Sequence, residues 1–377
     1  MTLDSFSKYI FMSHNDYQLA ADNVKFTKDM LSPYSQSLIN KHCSTEKLAL
    51  NLNDKIKYVL HYGNYRLYLE RGMKLVKIHR ILQFSQSAWI KTYIDFSTVN
   101  RKEATSSSLQ NLFKLFINSV FGKTMKCLRN RINLKLVTNT IRAKKLIARH
   151  TFQRFDIMNK DLTSITMMKD KVLLNRPIYL GFSILDLSKI TIYQQIIAKY
   201  GRKVKFAYTD TDSFVYLIET KNIYDDIAAN IDAFDTSDYP TTHPLHSKKN
   251  AKKLGEFKDE CNSLQPHEFI GLRSKMYSLK LPNSRIKITA KGVSRSHILK
   301  NLKHKDYFHT IQTTKSSYDT FRTTTSQKHA VKTQEVNKLC LSAFDDKRYI
   351  LPDGGSTLAH GHFRIPELNA QAKNNYY

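Results

Sequence analysis

Two acids with nothing basic between them, Asp210 and Asp212, stand in the run Lys205-Phe206-Ala207-Tyr208-Thr209-Asp210-Thr211-Asp212-Ser213-Phe214-Val215-Tyr216-Leu217-Ile218. Side chains of an extended chain alternate faces, so the two carboxylates point the same way and repel. A cation offsets that repulsion, and oxygen ligands on a rigid tip suit Mg²⁺ better than a softer metal. Taken alone, the same residues are read most simply as an ordinary turn with solvated acids, because Asp, Thr and Ser are common turn formers. The β-rich runs Val204 to Thr209 and Phe214 to Ile218 flank a centre too short for anything but a tight turn. That predicts a hairpin with the acids at its tip.

A second stretch, Leu109 to Lys123, carries Lys114, Asn118 and Phe121 at i, i+4 and i+7, so a cation, an amide and a ring form one stripe of a helix. A triphosphate would meet all three: the Lys offers a point charge to phosphate oxygens and the ring a flat surface to a base or sugar. Leu109, Phe113, Phe116 and Val120 recur at helical spacing and predict one buried face, with Gly122 placed to end or bend the helix. An amphipathic helix with a solvated Lys has the same pattern. Farther along, Phe269 to Leu279 is expected as one strand in which Lys275 and Tyr277, two apart, share a face. A cation beside a phenol there could neutralise a phosphate while the ring packs on a sugar.

Together these stretches resemble the family B DNA polymerases. Tyr208-Thr209-Asp210-Thr211-Asp212-Ser213 is similar to the palm hairpin pattern Tyr-x-Asp-Thr-Asp-Ser. Lys114-Leu115-Phe116-Ile117-Asn118-Ser119-Val120-Phe121-Gly122 is similar to the fingers-helix pattern Lys-x3-Asn-Ser-x-Tyr-Gly, with Phe121 in place of the usual Tyr. Lys275 and Tyr277 match the Lys-x-Tyr that the family sets against the primer end. The runs Tyr58 to Tyr62, Lys77 to Phe84, Gly181 to Lys189 and Asp345 to Tyr349 extend the resemblance over nearly all of the chain. They point to the protein-primed branch, of Polinton or Maverick transposon or viral type.

The resemblance implies an α+β fold with an antiparallel palm sheet and helices, helical fingers and thumb, and no exonuclease domain. It divides the chain into an N-terminal palm remnant with a terminal-protein-type insertion (1–100), fingers with a basic insertion (101–178), palm with the hairpin (179–285), and a thumb-like region with a tail (286–377). The implied reaction is template-directed: a primer 3′-hydroxyl attacks the α-phosphate of a dNTP and pyrophosphate leaves, with two Mg²⁺ ions, or Mn²⁺ in their place. Asp212 would ligate metal directly and Asp210 would support it. Lys114, Asn118 and Phe121 would hold the dNTP with Arg101 or Lys102, of which the sequence does not say which points inward. Lys275, Tyr277, Lys291, Tyr208 and Ser213 would face the DNA.

Two family elements are not found. A further metal-binding Asp, in a motif Asp-x2-Ser/Asn-Leu-Tyr-Pro/Gly, should precede the fingers helix, and a proofreading Asp-x-Glu should precede that. Asp16-Tyr17 and Asp95-Phe96-Ser97 both fail the pattern, and His14 to Ala20 look like the segment that follows it. The expectation is a polymerase portion that starts just after this Asp, that takes it from an N-terminal extension or another chain, and that does not polymerise alone. The alternative is a non-catalytic DNA-binding remnant. Retention of Lys114, Asp210, Asp212 and Lys275 favours the first, since a binder has no need of them.

Composition agrees with a polyanion as partner. The 377 residues, 41% apolar, are enough for two or three packed lobes. Sixty Lys and Arg against 32 acids give a net charge of +28, which repels itself unless a polyanion or a membrane surface shares it. No apolar run approaches the roughly 20 residues that span a bilayer, so no membrane is expected; the resemblance implies primer-template DNA, dNTP and a terminal protein primer as partners. The expected location is intracellular, at the nucleus or a viral replication site. Cys43, Cys127, Cys261 and Cys340 lack Cys-x2-Cys spacing, which argues against a zinc knuckle or a disulfide scaffold. Between Lys123 and Arg149, Lys126, Arg129, Arg131, Lys135, Arg142, Lys144, Lys145 and Arg149 occur with no acid, a block that most simply faces nucleic-acid phosphates.

The elements that must position these residues are less evenly legible. Residues 1 to about 50, around Ser32-Pro33-Tyr34, are expected as loop. Gly72 is a helix stop, Met73 to Phe84 alternates like a strand, and Ser87 to Tyr93 looks helical; part of residues 20–95 is a place for the terminal-protein insertion. Residues 178–200 predict a long helix ending at Gly201, packed under a sheet that the hairpin edges. Tyr224-Asp225-Asp226 and the turn-rich 234–250 are expected as a peripheral excursion. His360 and His362 are expected as a surface pair, with no third metal ligand near. From the charge alone, binding to primer-template DNA should weaken by on the order of 10³–10⁵ between about 50 and 200 mM salt, as for ~6–10 phosphates neutralised. Fluorescence anisotropy titrations over that range test this, and a salt-independent affinity would contradict it.

Overall fold

A computed structural model describes residues 21–38, 46–70, 72–210, 213–327 and 330–374; Asp4, Asp16, the His14 to Ala20 segment and Cys43 lie outside them. The chain is α+β, with helices and several small, mostly antiparallel sheets. It divides into two compact units. One comprises Met1–Ile117, Ser183–Asp319 and Lys338–Tyr377; the other comprises Asn118–Phe182 and Thr320–Asn337. No described helix is long and apolar enough to cross a membrane.

The first unit opens with β1 (Ala21–Lys25) paired antiparallel to β2 (Glu46–Leu50), in a region whose polar composition predicts loop. Ser32-Pro33 is likewise a helix start. The Ser32 hydroxyl accepts the Ser35 N–H at 3.1 Å, and Pro33, whose missing N–H costs nothing there, begins the short helix Pro33–Ser37. Helix α1 (Tyr62–Glu70) is anchored by the buried Asp186, whose carboxylate accepts the His61 N–H at 2.8 Å and whose carbonyl accepts from the Asn64 side chain at 3.1 Å. Gly72, at φ 84°, ends it as expected: its N–H bonds Leu69 O and that of Met73 bonds Tyr68 O, both at 3.0 Å. Leu67, Tyr68 and Tyr193 bury together with Tyr58, Leu60, Met73 and Ile190, and burial pushes the Tyr58 hydroxyl up to about 12.

Residues 73–84 do not form the expected strand. Residues 74–89 are exposed throughout, Val76 by 94%, and alternation makes no strand without a neighbour to bond. The helix expected from Ser87 starts instead at Lys91, as α2 (Lys91–Glu103), and α3 (Ser107–Thr124) follows. Phe96 meets Phe113 edge-on at 6.4 Å, and the Tyr93 hydroxyl donates to Phe116 O at 3.3 Å. The apolar face expected to be buried is largely open: Leu109 is 46% and Phe116 37% exposed. Nor does Gly122 end the helix, which runs on to Thr124.

In the second unit, β3 (Asn133–Val137), α4 (Thr140–Ile147), β4 (Phe152–Asn159) and β5 (Leu162–Met167) form a three-stranded sheet of order β3-β5-β4 with one helix packed on it. Asn139 starts α4 by accepting the N–H groups of Ile141 and Arg142. Val137, Leu146, Ile165 and Met167 are its core. The acid-free basic block thus supplies both strand and helix, and Lys135, Arg142, Lys144 and Lys145 stay exposed.

The predicted long helix is present as α5 (Ile178–Ile192), continued through a π-helical turn, Tyr193–Ile197, to Tyr200 and ended at Gly201 with φ 56°. The predicted hairpin is also present. Strands β6 (Val204–Asp210) and β7 (Ser213–Ile218) pair antiparallel from Val204↔Ile218 to Asp210↔Ser213, as a two-stranded sheet of their own rather than the edge of a larger one. The excursion that follows is tied down by Asn250, buried, whose side-chain amide donates to the carbonyls of Ile231, Asp232 and Phe234.

The rest of the first unit is built on β8 (Glu268–Arg273), β9 (Met276–Lys280) and β10 (Ile286–Ala290), one antiparallel sheet. Its Leu272–Met276–Ala290 face packs on Tyr307 of α6 (His304–Thr313). Strands β11 (Ser317–Gln327) and β12 (Ala330–Leu341), whose residues 320–337 belong to the second unit, pair with each other, and the end of β12 puts Cys340 and Leu341, each 1% exposed, into the first unit's core.

Near the C-terminus, His360 and His362 are not on the surface: each is 3% exposed. The His360 Nε2–H donates to Asp346 O at 3.0 Å, and the ring lies 4.6 Å from that of Phe26. His362 Nδ1 accepts the Arg364 N–H. An aromatic ring whose nitrogens find local backbone partners buries as readily as a phenol, which spacing alone does not reveal. Burial holds the His360 imidazole below its ordinary 6.5, with Arg348 acting in the same direction. The unfolded chain therefore takes up this proton first as pH falls, so stability is full above about 6.5 and declines below it. Urea midpoints should drop more between about pH 7.5 and 5.5 in the wild type than in His360→Gln. Equal drops would remove His360 from the account.

Candidate functional site

Sheet alternation puts the even positions of β8 and β9 toward α6 and leaves Phe269, Gly271 and Tyr277 on the opposite face. Tyr208 of β6 comes against that face. Its ring lies 4.6 Å from that of Tyr277 and 6.4 Å from that of Phe269, and Phe269 and Tyr277 are 5.8 Å apart. Gly271 leaves room for this cluster: a Cβ there would stand 2.9 Å from Phe269 Cε1. Three rings at such spacings contribute on the order of 0.5–1.5 kcal/mol per pair beyond their burial.

Lys275 departs from expectation. Phe269 to Leu279 is not one strand but two, with Arg273 paired to Met276 and only Ser274 and Lys275 between them. Lys275 is therefore a turn residue, at φ 61°, in the left-handed region that costs a residue with a Cβ roughly 1–2 kcal/mol. Both of its backbone groups are engaged. The Lys275 N–H donates to the Tyr208 hydroxyl at 3.1 Å, and its carbonyl accepts the Lys291 N–H at 3.0 Å. Sequence reasoning missed Phe269 and Gly271 because they become neighbours of Tyr277 only once the chain reverses at 274–275.

Four of the expected residues, Tyr208, Lys275, Tyr277 and Lys291, are thus brought together within one unit, with the exposed cations Lys275 and Lys291 flanking the rings. Asp210 ends β6 opposite Ser213, which is exposed. Asp212 and the side chain of Asp210 lie outside the described residues, so the expected metal ligands rest on sequence. Among the described residues no group of three or more His, Cys, Asp or Glu is placed to hold a metal.

Lys114, Asn118 and Phe121 share α3 and are all exposed, as the stripe requires. The division between units falls after Ile117, so Lys114 belongs to the first and the other two to the second. Arg101 and Lys102 occupy the last turn of α2, one helical hairpin before Lys114, and the Arg101 carbonyl accepts from Lys252 Nζ at 3.4 Å. Lys102 is the more exposed of the two. Comparisons of the chain with sequence families, with curated proteins and with solved structures find no match.

The strained turn makes a stability prediction. Lys275→Gly relieves the left-handed penalty but adds freedom to the unfolded chain, so the urea midpoint should stay level or rise, by at most about 1 kcal/mol. Lys275→Val should lower it. A Gly variant that unfolds more easily than wild type would show that the Lys275 side chain, rather than its backbone, holds the turn.

Proposed function

We propose that the chain is the palm, fingers and thumb portion of a protein-primed family B type DNA polymerase, transferring nucleotides from dNTP to a primer 3′-hydroxyl on a DNA template. The observation that supports this reading most is the junction of the hairpin with the Lys-x-Tyr loop. A reaction at a primer end needs carboxylates and a strand-holding surface on one rigid body, and the Tyr208 hydroxyl ties β6 to the Lys275 turn. On this reading Tyr277 and Tyr208 pack against the primer sugar, and Lys275 and Lys291 neutralise its phosphates. Lys114 takes the triphosphate with Arg101 or Lys102, Asn118 and Phe121 the sugar and base. Two Mg²⁺ ions, held by Asp212 with Asp210 in support, would supply charge to the attacking and leaving oxygens. The surplus of +28 supports the same partner, since a surface that repels itself is stabilised by a polyanion.

The test avoids turnover, because the family's further carboxylate is not found in the sequence. A primer ended with a photoreactive, dideoxy 3′-nucleotide is annealed to template and irradiated with the full chain. Adducts should map to Tyr208 and residues 273–277. The next correct dNTP should tighten the complex, and Lys114→Ala should remove most of that gain, roughly tenfold for one charge-assisted contact, while leaving affinity for DNA alone nearly unchanged. Adducts scattered over residues 123–149 with no response to dNTP would favour a DNA-binding remnant instead.

A further inference from the structure

Lys338, on β12, lies directly over Gly292. A Cβ built on Gly292 would fall within contact of the Lys338 ammonium and 2.6 Å from its Cε, so the absence of a side chain at 292 is what lets this cation lie there. Gly292 takes φ 85°, a conformation that an L side chain adopts only with strain. The two segments are held in register by the core beneath them. Cys340 and Leu341, two and three residues beyond Lys338, pack with Ala290 and Val293, which bracket Lys291 and Gly292. Lys291 in turn bonds the carbonyl of Lys275. Three exposed lysines from three separate stretches, 275, 291 and 338, therefore gather at the rim of the Tyr208–Tyr277 cluster. Among the described residues no carboxylate makes an ion pair with Lys291 or Lys338.

Lys291 and Lys338, two like charges that pair with no described carboxylate, favour an anion beside them, and lysines, being point charges, suit single phosphate oxygens. We infer that Lys338, seated in the notch at Gly292, contacts a backbone phosphate of the primer strand beside its 3′ end. Gly292 is the positioning residue for it. This rests on the primer-end reading of the Tyr208–Lys275 junction, and extends it to a residue more than 60 positions away that carries no motif.

The experiment measures affinity of the full chain for primer-template duplexes in which one primer linkage at a time, near the 3′ end, is a neutral methylphosphonate. Wild type should lose affinity at one or two linkages. Lys338→Gln should bind more weakly at low salt, lower the slope of log affinity against log salt by about one, and no longer respond to one of those linkages. Lys338→Arg should restore the slope, and Gly292→Ala should reproduce the Lys338→Gln result with thermal unfolding as a control on folding. Wild-type salt dependence and linkage sensitivity in Lys338→Gln would overturn the inference while leaving the primer-end reading intact. Wild type indifferent to every primer linkage would overturn both.

Discussion

The hydrogen bond from the Lys275 amide to the Tyr208 hydroxyl joins two sheets that share no strand pairing. One ends at Asp210 of β6 and the other carries the Lys-x-Tyr loop. A single such bond contributes a net 0.5–1.5 kcal/mol or so, which is about what the left-handed backbone of Lys275 costs. The balance is tipped by the rings of Tyr208, Tyr277 and Phe269 and by the second backbone bond from Lys291. A conformation that is locally unfavourable persists because several neighbours each require it, which is how strain is retained at sites that must hold one geometry.

What the sequence made legible follows from what is local. The β6–β7 hairpin, the helix from Ile178 and its stop at Gly201, and the stop at Gly72 all follow from periodicity and from the backbone freedom of glycine. The reversal at Ser274-Lys275 was hidden because it uses neither Gly nor Asn, and its cost is met by Tyr208, some 67 residues earlier. The strand expected at Met73 to Phe84 failed for the opposite reason: the pattern is right and no described partner pairs with it. In β1 and β2 the pairing itself makes strands of residues that composition assigns to loop. His360 went inside because Asp346 O and the Phe26 ring receive it, and neither is predictable from spacing. Of the expected site, Tyr208, Lys275, Tyr277 and Lys291 come together, whereas the acids at the tip remain a matter of sequence.

The cations follow a simple division. In the second unit they are spread over the exposed surface of a strand and a helix from which Val137 and Leu146 pack inward, a diffuse positive field. Around the Lys275 turn they are few and fixed by backbone contacts. On the proposed reading, the first arrangement would raise encounter with nucleic acid of any sequence, and the second would set the position of a strand once it is there.

The π-helical turn at Tyr193–Ile197 gives one helix two faces of different address. An inserted residue rotates everything beyond it by about 100° relative to an unbroken α-helix. Before the insertion, Asp186 and Ile190 look toward α1; after it, the Tyr200 hydroxyl reaches the Asp226 carboxylate at 3.2 Å, and the chain enters β6 at the fully buried Val204. The extra residue therefore works as a phase shifter. It lets a helix whose near half is locked to the start of the unit deliver its far half, and the acid-bearing strand that follows, at an angle that an ideal helix of the same length would miss.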